Sequence, residues 1–118
     1  KLVEGAGGWL LPINNTQYLA DWVVANGWPV VLVVGMKLGC LNHAMLTYRE
    51  LERSGVKVVG WVANQLDATM LRFDDNLADL QQRLTTPFLG LLPYSPNGVS
   101  QSDAEALATN LLNALELV

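Results

Sequence analysis

The 118 residues suffice for one domain with its own core, and 51% hydrophobic content against 15% charged residues excludes a disordered chain. A net charge of −4 leaves no electrostatic footprint for nucleic acid or an anionic membrane, and no apolar run reaches spanning length. A single cysteine, Cys40, excludes an internal disulfide, and with one histidine it cannot build a zinc cluster. No secretory leader pattern is visible, so the expected location is the cytoplasm.

The first residues, Lys1-Leu2-Val3-Glu4-Gly5, read as the end of a strand whose beginning is absent. The chain is therefore expected to be the carboxyl-terminal part of a longer domain, with residues 1–118 forming one piece of it. Glu4 then stands where a buried strand meets the flexible run Gly5-Ala6-Gly7-Gly8. An acidic residue in that place commonly holds Mg²⁺ in nucleotide-binding folds, and the glycines let backbone approach a ligand closely. The plainer alternative is a strand, a glycine turn and a solvated Glu4.

Trp9 to Asn15 reads as a loop containing Pro12. Asn15 or Thr16 can cap a short helix that turns Leu19, Trp22 and Val23 inward and ends near Asn26-Gly27. Val30 to Val34 is then an unbroken apolar run, typical of a parallel strand buried on both faces. Gly35 and Gly39 bracket a loop, after which Leu38, Leu41, Met45, Tyr48 and Leu51 follow helical spacing as far as Ser54-Gly55. A strand, glycine loop and helix in that order place backbone N–H groups and a helix dipole at the sheet's carboxyl edge, which favours an anion. An ordinary turn that binds nothing has the same pattern.

Val56 to Asn64 is the next strand, and the Asn64 carboxamide at its end offers one donor and one acceptor face to a purine edge. Asn is also a common strand-end turn residue. A third helix is expected from about Thr69 to Leu84, with Phe73, Leu77, Leu80 and Leu84 inward and Asp74, Asp75 and Asp79 solvated. Phe88 to Leu92 reads as a short strand that stops at Pro93, followed by the turn-rich Tyr94-Ser95-Pro96-Asn97-Gly98. Ser102-Asp103-Ala104-Glu105 reads as a capping box. The helix it opens carries Ala104, Leu107, Ala108, Leu111, Leu112 and Leu115 as its apolar face.

The expected order is β-α-β-α-β-α-β-α, a parallel α/β sheet with helices on both faces. Ligands of such sheets bind at the carboxyl ends of the strands. Those ends are Glu4 to Gly8, Gly35 to Asn42, Asn64-Gln65 and Pro93 to Ser95.

Three of these segments carry a family resemblance. Val3-Glu4-Gly5-Ala6-Gly7-Gly8-Trp9, then Gly35-Met36-Lys37-Leu38-Gly39-Cys40-Leu41-Asn42-His43-Ala44, then Gly60-Trp61-Val62-Ala63-Asn64, closely resemble dethiobiotin synthetase in order and spacing. Leu89-Gly90 leading to Leu92-Pro93 is similar too, so the resemblance covers essentially the whole chain and corresponds to the family's carboxyl-terminal half. It implies a P-loop NTPase-like fold, acting as a homodimer with ATP and Mg²⁺. The implied reaction joins 7,8-diaminononanoate and CO2 as a carbamate, which ATP phosphorylates before the second amine closes the ureido ring.

By the same resemblance, Glu4 matches the Mg²⁺ ligand, and Gly5, Ala6 and Gly7 match the loop beside the phosphates and the carbamate. Gly39, Cys40, Leu41 and Asn42 match the segment that receives the substrate carboxylate across a dimer interface. Asn64 matches the adenine-reading residue, and Pro93, Tyr94 and Ser95 match a loop lining the base. Gln65 and Ser100 depart from the family, standing where an acidic residue and a late glutamate are often found. The phosphate-loop motif G-x-x-x-x-G-K-[ST] does not occur in these residues, nor does the catalytic lysine of that half, so no catalytic residue is assigned here.

Two other readings remain: a non-catalytic piece that keeps dimer contacts or weak ligand binding, and a related P-loop ATPase with another substrate. Cys40 and His43 could form a nucleophilic pair, but no third orienting group accompanies them, and the Cys40 N–H is the favoured functional group. The strand bearing the phosphate loop would lie between Leu2–Glu4 and Val30–Val34. A gap of about 10 Å is therefore expected between these two strands instead of about 4.8 Å. Open apolar edges and exposed patches there would favour association.

Overall fold

The computed structural model describes residues 1–116. Its elements are α1 (Leu19–Asn26), β1 (Val30–Met36), α2 (Cys40–Arg53), β2 (Val58–Gln65), α3 (Phe73–Arg83), β3 (Phe88–Leu92) and α4 (Gln101–Glu116). The three strands form one parallel sheet in the order β1-β2-β3. Each strand is an apolar run, and each crossover is a helix, as parallel pairing demands.

Both crossover helices lie on one face. Tyr48, Ala44 and Cys40 of α2 and Leu80 of α3 pack with Val34, Met36, Trp61 and Ala63 of the sheet. Val62 and Leu89 face the other way, together with Val59, which the register irregularity between Val30 and Val31 turns away from the Trp61 side; α4 covers them with Leu107, Leu111 and Ala114. At Gly60 the strands pack so closely that a Cβ would stand 2.6 Å from Leu89 Cγ and 2.8 Å from the Pro87 carbonyl oxygen. Trp61 is fully buried beside Phe88, with ring centroids 4.6 Å apart, and its indole N–H finds no acceptor among the described residues.

The expected strand at Leu2–Glu4 does not form. A strand is held by ladder bonds to a neighbour, and three residues without one satisfy their backbone with water instead. Leu2 is accordingly 90% exposed, and no gap between paired strands exists to measure. β1 is an edge strand, and because α4 reaches only β2 and β3, Val33 is 58% exposed.

Smaller differences share one cause, which is that burial depends on what lies opposite. Trp22 points outward and meets Trp28 edge-on at 4.6 Å, while Ala20 is the buried residue of α1. Leu38 is exposed because α2 starts only at Cys40. Leu112 and Leu115 are exposed because the single stripe Leu107, Leu111, Ala114 fills the contact with the sheet.

The helix starts also move. Asn14 Oδ1 accepts the N–H groups of Thr16 and Gln17 in the turn before α1, and Asp21 Oδ2 accepts that of Tyr18 at 2.7 Å. α4 begins two residues before the expected box: Ser100 Oγ accepts the Asp103 N–H at 3.2 Å and donates to Asp103 Oδ2 at 2.7 Å. Ser100 thus caps the helix in an earlier register, with its hydroxyl held by the Asp103 carboxylate. Asp75 is solvated as expected and pairs with Arg72 at 2.6 Å, whereas Asp79 is half-buried and pairs with Arg83 at 2.7 Å.

Candidate functional site

Parallel pairing brings three of the four expected segments to the sheet's carboxyl edge. Gly35 and Met36 pair with Asn64 and Gln65, and Asn64 pairs in turn with Leu92. The last residues of all three strands therefore lie side by side, each leading into a loop.

At the β2–β3 end, Gln65 Oε1 accepts the Tyr94 N–H at 3.0 Å. The half-buried Asn64 carboxamide takes no protein partner among the described residues. Asn64, Gln65, Pro93, Tyr94 and Ser95 thus form one continuous rim, with unused donors and acceptors on Asn64 and an unused amide donor on Gln65. A rim of that composition fits the edge of a purine, which itself alternates donors and acceptors.

At the β1–α2 turn, Gly39 precedes the first helical residue with φ 91°, a conformation that favours glycine. The turn engages the Cys40 N–H, which donates to the Lys37 carbonyl at 2.9 Å. Cys40 itself is buried against the sheet. The favoured Cys40 N–H is therefore occupied, and the first-turn donors left for a carboxylate are the N–H groups of Leu41 and Asn42. Those two have no backbone acceptor outside the helix among the described residues. The His43 N–H closes a long bond to the Gly39 carbonyl at 3.4 Å.

The fourth segment is placed differently. Without a strand to carry it to the edge, Glu4 is exposed. Gly5 abuts Leu19 and Gly7 abuts Leu11. Gly7, Gly8 and Trp9 line an open groove with His43, Thr47 and Glu50 of α2. The Trp9 indole N–H is buried without an acceptor among the described residues. Glu50 Oε2 accepts a bond from Arg53 Nε at 2.8 Å, and this bond holds its carboxyl below the usual carboxylate range.

No cluster of three or more metal-ligating side chains occurs among the described residues. Glu4 is a single exposed carboxylate, and Mg²⁺ held there would need phosphate oxygens and water to complete its shell. Cys40 and His43 form no hydrogen-bonded pair among the described residues, and the buried Cys40 lies on the core side of α2. The Gln65–Tyr94 bond, spanning 29 residues, and the occupied Cys40 N–H were not legible in the sequence. Neither leaves a local pattern.

The strand-end loops and helix-covered parallel sheet define a P-loop NTPase-like α/β protein. The chain belongs to the AAA domain family, which matches residues 2–102. It is similar to ATP-dependent dethiobiotin synthetases, as its motifs imply. That of Pseudoalteromonas translucida is 55% identical over 94 residues, covering 80% of this chain and 41% of the relative. That of Cellvibrio japonicus is 47% identical over 110 residues, covering 93% and 46%. That of Pseudescherichia vulneris is 46% identical over 102 residues, covering 86% and 42%. The chain thus spans less than half the length of these relatives. No helix among the described residues is long and apolar enough to cross a membrane.

Proposed function

We propose that this chain supplies the base-binding rim and the substrate-carboxylate turn of a dethiobiotin synthetase. The whole protein would act in biotin synthesis as a cytoplasmic homodimer, with residues 1–118 as the carboxyl-terminal part of its catalytic domain. One observation carries the reading: the free Asn64 carboxamide lies in the same parallel edge as the β1–α2 turn. The identity to dethiobiotin synthetases extends over both.

In this reading ATP rests its base on Asn64 and the Pro93-Tyr94-Ser95 loop, with Gln65 beside them at the rim. Gly5, Ala6 and Gly7 border the phosphates, and Glu4 would hold Mg²⁺ with phosphate oxygens and water. Bound Mg²⁺ supplies charge neutralisation on the phosphates. The turn Gly39-Cys40-Leu41-Asn42 receives the carboxylate of 7,8-diaminononanoate from the partner subunit's side. Its donors are the N–H groups of Leu41 and Asn42, aided by the helix dipole. These contacts fix both ends of the reaction. CO2 adds to one amine as a carbamate, ATP phosphorylates the carbamate oxygen, and the second amine displaces phosphate to close the ring.

The phosphate-loop motif is not among these residues, so the chain on its own is proposed to be inactive. The test is dethiobiotin formation from the diamine, bicarbonate, ATP and Mg²⁺. It is made with the chain alone and with a protein of full family length that includes this sequence. Product from the longer protein only is the expected result. No product from the longer protein would overturn the reading, and turnover by the chain alone would overturn its assignment as a partial site.

A further inference from the structure

Backbone pairing between β2 and β3 ends at Asn64 and Leu92. The next residue of the departing chain is Pro93, which has no N–H to continue the ladder. Tyr94 supplies the next donor, and the Gln65 side chain reaches out to accept it at 3.0 Å. A side-chain oxygen thus extends the sheet by one bond past the point where backbone pairing stops.

We propose that Gln65 is a positioning residue: its carboxamide oxygen pins the Pro93-Tyr94-Ser95 loop to the end of β2, so that loop and Asn64 present one pre-formed edge to the nucleotide base. The proposal rests on the nucleotide reading above and adds to it how the base-binding loop is held. Only an acceptor is required at this position, which Gln and Glu provide and Ala does not. The amide donor of Gln65 plays no part in the tie. Tyr94 is 44% exposed, so water competes for the bond, and its loss changes populations without unfolding the sheet.

The first arm of the test needs no nucleotide. Amide exchange of Tyr94 is measured in the chain as it stands and in Gln65→Ala and Gln65→Glu. Gln65→Ala should speed it about 3- to 10-fold, the range of one net hydrogen bond, while the ladder amides of Val62 and Ala63 keep their rates. Gln65→Glu should keep the original protection. Unchanged Tyr94 exchange in Gln65→Ala overturns the proposal.

The second arm uses the protein of full family length. Gln65→Ala should raise KM for ATP by a similar factor with a smaller change in kcat, and Gln65→Glu should restore KM. A loosened loop with unchanged KM overturns positioning for the nucleotide. A raised KM that Gln65→Glu does not restore also overturns it, because the amide donor would then read the base directly. Failure of the unmodified longer protein to make dethiobiotin is a failure of the functional reading alone, and the exchange arm still decides whether Gln65 holds the loop.

Discussion

The carboxyl end of β2 and the stretch from Glu4 to Trp9 carry comparable glycine-rich or polar motifs, yet the structure treats them differently. Asn64 lies between two paired strands and Gln65 pairs with β1, and the loop opposite is tied to Gln65. Glu4 has no strand neighbour and is exposed, and its glycines lean on Leu11 and Leu19. A motif becomes a placed site only when the surrounding ladder fixes its backbone. A carboxylate at the right position in sequence does not by itself make a metal site.

The largest expected effect lies in the region without a strand. Glu4→Ala in a protein of full family length should abolish Mg²⁺-dependent turnover. In the present chain it should leave the urea midpoint unchanged, since Glu4 touches no core. Full activity of the variant at limiting Mg²⁺ would remove Glu4 from the site.

Stability should show the opposite ranking. Leu80→Ala, which empties a fully buried position beneath the sheet, should cost about 2–5 kcal/mol by urea denaturation. Leu2→Ala, at 90% exposure, should stay within about 0.5 kcal/mol. Equal losses would show that the amino-terminal stretch is packed after all.

Asn64→Ala tests the ordered rim directly. Losing a carboxamide that pairs with the base should raise KM for ATP by an amount equivalent to about 1–3 kcal/mol and relax the preference among purine nucleotides. An equal loss with pyrimidine nucleotides would count against base reading.

The smallest effect is expected at the groove between the Gly7–Trp9 stretch and α2. The Arg53 hydrogen bond lowers the Glu50 pKa from its ordinary 4.5, so the pair stabilises the fold above that pH. The contribution is lost as the pH falls through the lowered folded value. Arg53 is largely exposed, so solvent screens the pair. Glu50→Gln should therefore slightly flatten the acid limb of the stability profile and leave neutral-pH stability nearly unchanged. A steep acid limb that persists in Glu50→Gln would assign the dependence to other carboxylates.

The sequence by itself determined the parallel α/β class, the Val30 strand, the existence of the helix that ends at Ser54-Gly55, the Phe88–Leu92 strand and the family. Those follow from local quantities: apolar runs, helical spacing and short motifs whose order survives without coordinates. Only the tertiary structure decided that Leu2–Glu4 is not a strand, because pairing needs a neighbour that local composition does not reveal. It also decided which apolar residues are buried, leaving Val33, Leu38 and Leu112 exposed where no helix or strand lies opposite. Finally, it decided which donors at the site are free. The Lys37 carbonyl occupies the Cys40 N–H, and Gln65 reaches Tyr94 across 29 residues, because hydrogen bonds follow distance in space rather than separation along the chain.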